Sequence, residues 1–328
     1  MRATSPCLLL VWSIGGAGLC GCDPPFPVQP TGAVHAAAPV QILTEPEAGA
    51  PAVLDLISSA HASLWMEMYL LTDGPAIAAL VGRAAAGCDV RVILEPAPYE
   101  DAGANQPAFD QLAAAGVDVR WSTARFTYTH AKTFGVDHAR LVVLTLNLTA
   151  AGLSGNREYV ALDDDPTDVA AAEAMFVADQ QGAVTGVPGG RLVTSPESSR
   201  PTALALIAGA ETSLALETEE LTDGQIVGAL VAALGRGVAV TLVWPGPASD
   251  GGAPFTALTG AGAVVRSATA PPIHGKVIVV DDRALYVGSA NLTPTSLDDN
   301  REIGLLLNQS ATAAAVGGTV AADAAGGS

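Results

Sequence analysis

The chain has 328 residues, of which 49% are hydrophobic and 15% are charged, so it can bury a sizeable core in one large domain or two smaller ones. Its formal net charge is −18 at pH 7. This charge argues against broad electrostatic binding of nucleic acid, which depends on neutralising many phosphates, but it is compatible with a local positive pocket.

The N-terminal segment predicts export from the cytoplasm. Arg2 gives it a positive start, and the apolar stretch at residues 8–19 has the length of a signal-peptide core, too short to span a bilayer. The stretch ends in Leu19-Cys20-Gly21-Cys22, which resembles the lipobox of bacterial lipoproteins. We interpret residues 1–22 as a signal peptide of the lipoprotein type and Cys22 as the lipidated residue, with an ordinary cleaved signal as the alternative.

The next segment and the remaining cysteine agree with an exported protein. Residues 23–39 are rich in Pro, Ala and Gly and are predicted to form a flexible linker between anchor and folded body. Cys88 is left without a partner, so it is predicted to be a small buried hydrophobe rather than part of a disulfide or a metal site. The expected location is the bacterial cell envelope, lipid-anchored on the periplasmic or outer surface, or secreted.

The folded body begins near residue 40, and its first half alternates between helical and strand patterns. Asp73 is the expected N-terminal cap of the second helix. In chain order the pattern predicts a helix at 53–60, a strand at 63–69, a helix at 75–86, a strand at 89–94, a short helix and a strand, the strand that carries His130, a turn at 136–138 and a strand at 141–144.

The second half repeats this order after a boundary rich in Gly and Pro at residues 182–191. His274 follows His130 by 144 positions, and the same spacing separates Glu302 from Glu158. Helices and strands equivalent to those of the first half are predicted at residues 201–210, 213–217, 225–234, 238–244 and 284–287, with Asp223 as the equivalent helix cap.

This duplication predicts an α/β fold of two lobes, at residues 40–185 and 190–328. Each lobe is expected to be a mixed sheet flanked by helices, the two being related by a pseudo-two-fold axis with the active site between them. The final stretch, from residue 310, aligns with the helix predicted at residues 168–179, but its glycines favour a poorer helix.

Only two of the 15 basic residues are lysines, and each lies two positions after a histidine. His130-Ala131-Lys132 is followed by Asp137, and His274-Gly275-Lys276 by Asp281, so both read H-x-K-x-x-x-x-D. Lysine is a compact point charge, whereas arginine is a planar fork. Residues i and i+2 of a strand face the same side, so each His and Lys pair is expected to point into one cleft. Two such pairs that face each other predict a site for a phosphate.

The two motifs continue in the same way, and together they resemble those of the phospholipase D superfamily. Each is followed by an Asn and then by Asn-Arg-Glu, at residues 156–158 and 300–302. The superfamily's Gly-Ser-x-Asn is present at residues 288–291, but the first copy reads Leu144-Thr145-Leu146-Asn147. Leu144 is bulky where glycine lets backbone approach closely, so the first half-site is expected to be narrower or less active.

The resemblance implies a two-step reaction through a phosphohistidine, with no cofactor and no metal. By this analogy His130 is the nucleophile and His274 the general acid, and the roles reverse when water attacks. Glu158 and Glu302 are the candidates for orienting an imidazole. The expected phosphate-binding residues are Lys132, Lys276, Asn147, Asn291, Thr145 and Ser289.

Two interpretations of the motif carboxylates follow from the residues. Asp137 and Asp281 belong to the catalytic motif of the superfamily, but their positions favour shaping the turn after each motif. A zinc site at His130, Asp137 and His138 is disfavoured because Lys132 would repel a cation.

Other residues are predicted near the cleft with less definite roles. Glu67 and Glu217 stand near the ends of matching strands, where they either line the cleft or form structural ion pairs. Loop side chains that could contact acyl chains, or simply pack, are Pro96, Pro98, Tyr99, Phe109, Phe126, Tyr128, Trp244, Pro245 and Phe255.

Together these features predict a phospholipase D-like phosphodiesterase that acts on phospholipid at a membrane surface reached by the lipid anchor. Transfer of the phosphatidyl group to an alcohol is the nearest variant. A secreted nuclease and a non-catalytic phosphate-binding or lipid-binding protein are the alternatives, and nucleic acid is disfavoured as a partner by the acidity. No obligate protein partner is inferred, and head-group preference is not legible in the sequence.

Overall fold

The structure, a computed structural model, describes residue 1 and residues 39–184, 186–247 and 251–327. The predicted signal peptide, Cys22 and almost all of the predicted linker lie outside the described residues. Within the described ranges, no helix has both the length and the apolar character needed to cross a bilayer.

The helices and strands of the first lobe follow the predicted order, with two additional strands and one additional short helix. They are β1 (Gln41–Glu45), α1 (Ala50–Ser58), β2 (Ser63–Met68), α2 (Gly74–Ala85), β3 (Asp89–Leu94), α3 (Gln106–Ala114), β4 (Asp118–Trp121), β5 (Lys132–Val136), β6 (Arg140–Leu144), α4 (Ala150–Ser154), β7 (Glu158–Asp163) and α5 (Pro166–Gln180). The additional strands are β1 and β7, and the additional short helix is α4.

The second lobe repeats these elements one for one. They are β8 (Leu192–Ser195), α6 (Ser199–Gly209), β9 (Ser213–Glu217), α7 (Gly224–Gly235), β10 (Ala239–Trp244), α8 (Gly252–Gly260), β11 (Val264–Ser267), β12 (Val277–Val280), β13 (Ala284–Gly288), α9 (Pro294–Asp298), β14 (Glu302–Leu307) and α10 (Ser310–Gly326).

Each lobe contains a seven-stranded mixed sheet, and the two sheets have the same topology. The order is β1-β7-β6-β5-β2-β3-β4 in the first and β8-β14-β13-β12-β9-β10-β11 in the second. In the first sheet β2, β3 and β4 run parallel, and the strands from β5 to β1 pair antiparallel. The predicted fold class, two duplicated α/β lobes, is confirmed.

The helix N-terminal caps and the packing of helices on the sheets agree with the sequence pattern. The Asp73 carboxylate accepts a hydrogen bond from the Ala76 amide at 2.9 Å, and Asp223 accepts one from Ile226 at 2.9 Å, so both predicted caps are present. The outer face of each sheet packs on amphipathic helices such as α1 and α2, or α6 and α7.

The inner faces of the two sheets share one hydrophobic core, because α5 and α10 lie between them. Helix α5 packs on β2, β5 and β6 and contacts β8, whereas α10 packs on β9, β10, β12 and β13 and contacts β1. Phe176 of α5 and Val316 of α10 are buried in the same cluster. Burial of apolar surface from both lobes therefore joins them and fixes the cleft at their junction.

Three details differ from the sequence prediction. Strands β1 and β8 at the far edges of the sheets were not predicted, and neither were their neighbours β7 and β14 or the short helices α4 and α9. Helix α10 is continuous over 17 residues despite its glycines, because packing between the sheets outweighs intrinsic propensity. Strand β5 begins only at Lys132 and β12 at Val277, so both motif histidines precede their strands.

Candidate active site

The chain segments that lead into β5 and β12 pair with the opposite lobe. The His130 amide donates to the Arg301 carbonyl at 2.9 Å, and the His274 amide donates to the Arg157 carbonyl at 3.2 Å. Arg157 and Arg301 directly precede β7 and β14, so each motif is bound to the Asn-Arg-Glu run of the other lobe. These reciprocal contacts are those that a pseudo-two-fold axis produces.

Both histidines consequently line one cleft of about 650 Å³, together with Asn147 and Asn291. The motif lysines lie beneath it and are buried, with Lys132 0% and Lys276 1% exposed. The Lys132 ammonium donates to the His130 carbonyl at 2.8 Å, and Lys276 donates to the His274 carbonyl at 2.7 Å. The two motif histidines therefore share a single cleft, and the two motif lysines are buried behind them.

Each imidazole is held by a glutamate from the other lobe. The Nδ1 atom of His130 lies 2.9 Å from both carboxylate oxygens of Glu302, which begins β14. The Nδ1 atom of His274 lies 2.6 Å from Oε1 of Glu158, which begins β7. A carboxylate at Nδ1 fixes the ring orientation and directs chemistry to Nε2.

Both glutamates are fully buried and are themselves held by hydroxyl groups. Thr145 Oγ1 donates to Glu158 Oε2 at 2.5 Å, and Ser289 Oγ donates to Glu302 Oε2 at 2.6 Å. Thr145 and Ser289 are 0% exposed, so they position the carboxylates. We therefore interpret these two hydroxyls as positioning groups for the glutamates, whereas the sequence predicts that they bind phosphate.

Burial and neighbouring charges shift the pKa values of the ionisable groups in the first half-site. Burial lowers the pKa of His130 below its usual value, the Glu302 carboxylate partly opposes this, and Lys132 reinforces it. Burial likewise lowers the pKa of Lys132 to about 7. Burial alone would raise the pKa of Glu302, but His130 and Lys132 outweigh it and keep that carboxylate ionised.

The sequence profile of the family described as cardiolipin synthase, phospholipase D-like domain, matches this chain twice, at residues 53–180 and 203–320. The two matches coincide with the two lobes and include both H-x-K motifs. The chain belongs to this phospholipase D-like family. No curated protein sequence matches the chain as a relative.

Solved structures share the phospholipase D-like fold at low sequence identity. Phosphatidylserine synthase of Haemophilus influenzae superposes with a TM-score of 0.65 at 13% identity, covering 84% of this chain and 83% of that one. Polyphosphate kinase of Porphyromonas gingivalis gives a TM-score of 0.69 at 14% identity and covers 86% of this chain, but this chain spans only 46% of the kinase. The nuclease Nuc of Salmonella typhimurium gives a TM-score of 0.41 at 24% identity, over 44% of this chain and 94% of that one.

The aspartates of the phospholipase D-like motifs lie away from the cleft. Asp137 accepts backbone hydrogen bonds from residues 61–63, the closest from Ala62 at 2.7 Å, and Asp281 binds residues 211–213 in the same way. Both carry a positive φ of 53° in the turn after the motif strand. The structure therefore supports their turn-shaping role and corrects the assignment of these two carboxylates to the catalytic group.

The alternative zinc site is not assembled. Asp137 is bound to backbone, and the His138 Nδ1 atom lies 2.8 Å from Glu173 Oε2 at the surface. Among the described residues, no group of three or more His, Cys, Asp or Glu side chains is placed to hold a metal ion.

Leu144 does not narrow the first half-site. It is buried in the outer hydrophobic cluster of its lobe with Val142 and Val160. At the equivalent place in the second lobe, a Cβ on Gly288 would lie 2.5 Å from Gly304 Cα and 2.8 Å from the Tyr286 hydroxyl. Glycine there lets the neighbouring strand and that ring approach closely.

Glu67 and Glu217 are buried below the cleft and do not line it. The Tyr159 hydroxyl donates to Glu217 Oε2 at 2.9 Å, and burial raises the pKa of Glu217 to about 8. Burial also raises the pKa of Glu67, with Asp179 adding to the effect and Arg301 opposing it. Each glutamate belongs to a polar cluster at the junction of the lobes.

Most of the predicted loop aromatics pack internally. Phe109 stacks on Trp121 with ring centroids 4.2 Å apart, and Trp244 meets Phe255 edge-on at 4.4 Å. Phe126 lies under the Arg301 guanidinium at 4.4 Å. Of the predicted set, Tyr99 and Tyr128 line the cleft, together with a third tyrosine, Tyr69, that was not predicted.

The sequence interpretation missed Glu219, which follows β9. Its Oε2 atom lies 3.2 Å from His274 Nε2, 3.2 Å from Lys276 Nζ and 3.4 Å from Asn291 Nδ2. The signal was present in the duplication, because matching Glu67 to Glu217 and Leu71 to Leu221 places Glu219 opposite Tyr69. The two half-sites therefore differ at this cleft-lining position, and also at the next one, where Leu70 corresponds to Glu220.

Proposed function

We propose that the protein is an exported phospholipase D-like phosphodiesterase that cleaves phospholipids, or transfers their phosphatidyl group, through a covalent phosphohistidine. The observation that carries this proposal is the single cleft that both motif histidines line, with the two motif lysines buried behind them. Each imidazole there is bound at Nδ1 by a buried carboxylate of the other lobe.

In the first step, the Nε2 atom of neutral His130 attacks phosphorus, and a nitrogen–phosphorus bond forms as the bond to the leaving oxygen breaks. His274 donates a proton to that oxygen. The buried Lys132 and Lys276, with the amides of Asn147 and Asn291, bind the phosphate oxygens and stabilise the charge that builds up on them.

In the second step, water or an alcohol attacks the phosphorus of the phosphohistidine. His274, now neutral, accepts the proton of the attacking oxygen, and His130 leaves as a neutral imidazole. Attack by water completes hydrolysis, and attack by an alcohol completes transfer. The lowered pKa of His130 supports this assignment, because a histidine that is neutral near pH 7 can act as a nucleophile.

A lipid substrate is supported by the family and by the walls of the cleft. The matching family is described as cardiolipin synthase-like. Tyr69, Tyr99 and Tyr128 give one wall an aromatic surface, and Glu219 and Glu220 make the opposite wall acidic. An acidic wall and a net charge of −18 disfavour a polyanion such as DNA. A lipid anchor at Cys22 would hold the protein beside its substrate.

The test compares substrates for the purified protein. Phosphatidylcholine vesicles and plasmid DNA are incubated separately with the protein, and choline release and strand nicking are measured. Choline release without nicking supports the proposal, whereas nicking alone supports a nuclease. Retained vesicle binding with neither reaction supports a non-catalytic binding protein. His130→Asn should lower turnover by about 10³-fold with the fold retained.

A further inference from the structure

We propose that Glu219 is a positioning residue that keeps His274 protonated in the free protein, which makes His274 the proton donor and leaves His130 as the nucleophile. This inference rests on the proposed function, since it explains how two identical motifs take opposite roles. The order of the two histidines, which the sequence supports only by family analogy, then has a cause within this chain.

His274 has a carboxylate near each of its two ring nitrogens. Glu158 lies 2.6 Å from Nδ1 and Glu219 lies 3.2 Å from Nε2. Two carboxylates at ion-pair distance favour the positively charged imidazolium over the neutral imidazole. His130 has a carboxylate, Glu302, only at Nδ1, and its other neighbour is the Tyr69 ring, with centroids 4.5 Å apart.

The lysines beside the two histidines also have different neighbours. Lys276 Nζ lies 3.1 Å from both ring nitrogens of His274, and this cation alone would disfavour an imidazolium. Glu219 lies 3.2 Å from the same ammonium and offsets its charge. At the first half-site, Lys132 instead faces the Tyr69 ring at 5.0 Å, and the carboxylates that offset its charge, Glu302 first, act on it without an ion-pair contact.

Three other charged groups lie near His274. Glu220 lines the same cleft and interacts with Lys276, so it adds negative charge to the second half-site. His130 and Lys132 belong to the facing half-site. The charges of Lys276 and His274 outweigh burial and hold the pKa of Glu219 well below its usual range, so its carboxylate is ionised at any pH where the histidines titrate.

The position of Glu219 also suits a residue that acts before substrate binds. Its carboxylate occupies the donors, Lys276 and Asn291, that would hold a phosphate oxygen, and its side chain is 35% exposed. It follows β9 in a segment outside regular structure, so it can turn aside. An arriving phosphate then replaces it as the counter-charge of a histidine that is already protonated.

The test measures histidine protonation directly, in the full chain without substrate. Nitrogen-15 NMR of labelled histidine is recorded across pH, with His130→Asn and His274→Asn used to assign signals. We expect His274 to keep its proton to a higher pH than His130, and Glu219→Gln to narrow this gap by about 1 pH unit. Glu220→Gln is the matched control, removing a like charge one residue away, and should preserve the gap.

Two further readouts separate this role from a purely structural one. Glu219→Gln should move the basic limb of the pH profile of kcat/KM to lower pH by about 1 unit, since the acid then loses its proton more easily. It should also bind orthovanadate about tenfold more tightly, because an internal anion no longer competes.

The outcomes distinguish this inference from the proposed function. A gap between His130 and His274 that is absent in the wild type, or unchanged in Glu219→Gln, overturns the role of Glu219 even if phospholipid is cleaved. A wild-type protein that cleaves no phosphodiester refutes the proposed function instead, whatever the histidine signals show.

Discussion

In the first half-site the motif lysine faces an aromatic ring, and in the second it faces a carboxylate. Lys132 Nζ lies 5.0 Å from the Tyr69 ring centroid, whereas Lys276 Nζ lies 3.2 Å from Glu219 Oε2. The motifs, the crossed glutamates and the hydroxyls behind them are otherwise equivalent. The comparison teaches that duplication supplies a symmetric phosphate cradle, and that a few substitutions around it are enough to give the two halves different chemistry.

The largest expected effect separates the two histidines. His130→Asn should abolish turnover of every substrate by about 10³-fold or more, because no phosphohistidine forms. His274→Asn should be equally impaired with phosphatidylcholine but should still show a burst with a p-nitrophenyl phosphodiester, whose leaving group needs no proton. Burst kinetics measure this difference. A burst in His130→Asn and none in His274→Asn would reverse the assigned roles.

The next effect tests the crossed carboxylates. Glu302→Gln should lower kcat by about 100-fold, because the His130 ring loses its charged acceptor at Nδ1. Glu302 also accepts hydrogen bonds from Ser296 at 2.9 Å and Asn300 at 3.2 Å, so its loss should cost about 1–3 kcal/mol of unfolding free energy.

Glu158→Gln is the matched variant for the other imidazole. It should lower kcat through His274 and cost less stability than Glu302→Gln. Steady-state kinetics and urea unfolding of both variants measure these quantities. Wild-type kcat in either one would show that its crossed contact does not orient the ring.

A smaller effect follows from the lowered pKa of Lys132, which is about 7. A lysine binds phosphate as its charged form, so affinity is complete below this pH and is lost as pH rises through it. Binding of inorganic phosphate, measured by calorimetry, should weaken by up to about tenfold per pH unit above 7. Lys132→Arg stays charged and should flatten this slope, whereas a slope that survives the substitution would assign it to another group.

The smallest effect concerns the lobe junction, where Gly275 stands opposite Tyr159. A Cβ on Gly275 would lie 2.8 Å from Tyr159 Cε2, so Gly275→Ala should cost about 1–3 kcal/mol of unfolding free energy. The first lobe has Ala131 here and meets Ile303 in place of Tyr159. Adding Tyr159→Ile should restore part of the loss in thermal unfolding, and purely additive losses would contradict the steric explanation.

Sequence predicted most of this fold because the duplication gave every element twice. The 144-residue spacing aligned both motifs, and Asp73 and Asp223 marked the helix starts. Strands β1, β7, β8 and β14 were not predicted, because short strands give little periodic signal. Helix α10 was underrated because its stability comes from packing between two sheets, which propensity does not measure.

Sequence predicted most residues of the candidate site but not which side chains contact each other. Sequence identified Glu158 and Glu302 as partners of the imidazoles, yet only the fold shows that each one serves the histidine of the other lobe. Thr145 and Ser289 were predicted as phosphate ligands because sequence does not show that their hydroxyls contact the glutamates. Glu219 was not predicted because its equivalent in the first lobe is Tyr69, so the residue is not repeated in the duplication.

The crossed glutamates, Glu158 and Glu302, make the active histidine of each lobe depend on the other lobe. A lobe on its own would present a histidine with no acceptor at Nδ1, and its own glutamate would have no ring to bind. A substitution that disturbs β7 would be felt first at His274, and one in β14 at His130. A substitution near the glutamate of one lobe should therefore impair the catalytic histidine of the other lobe.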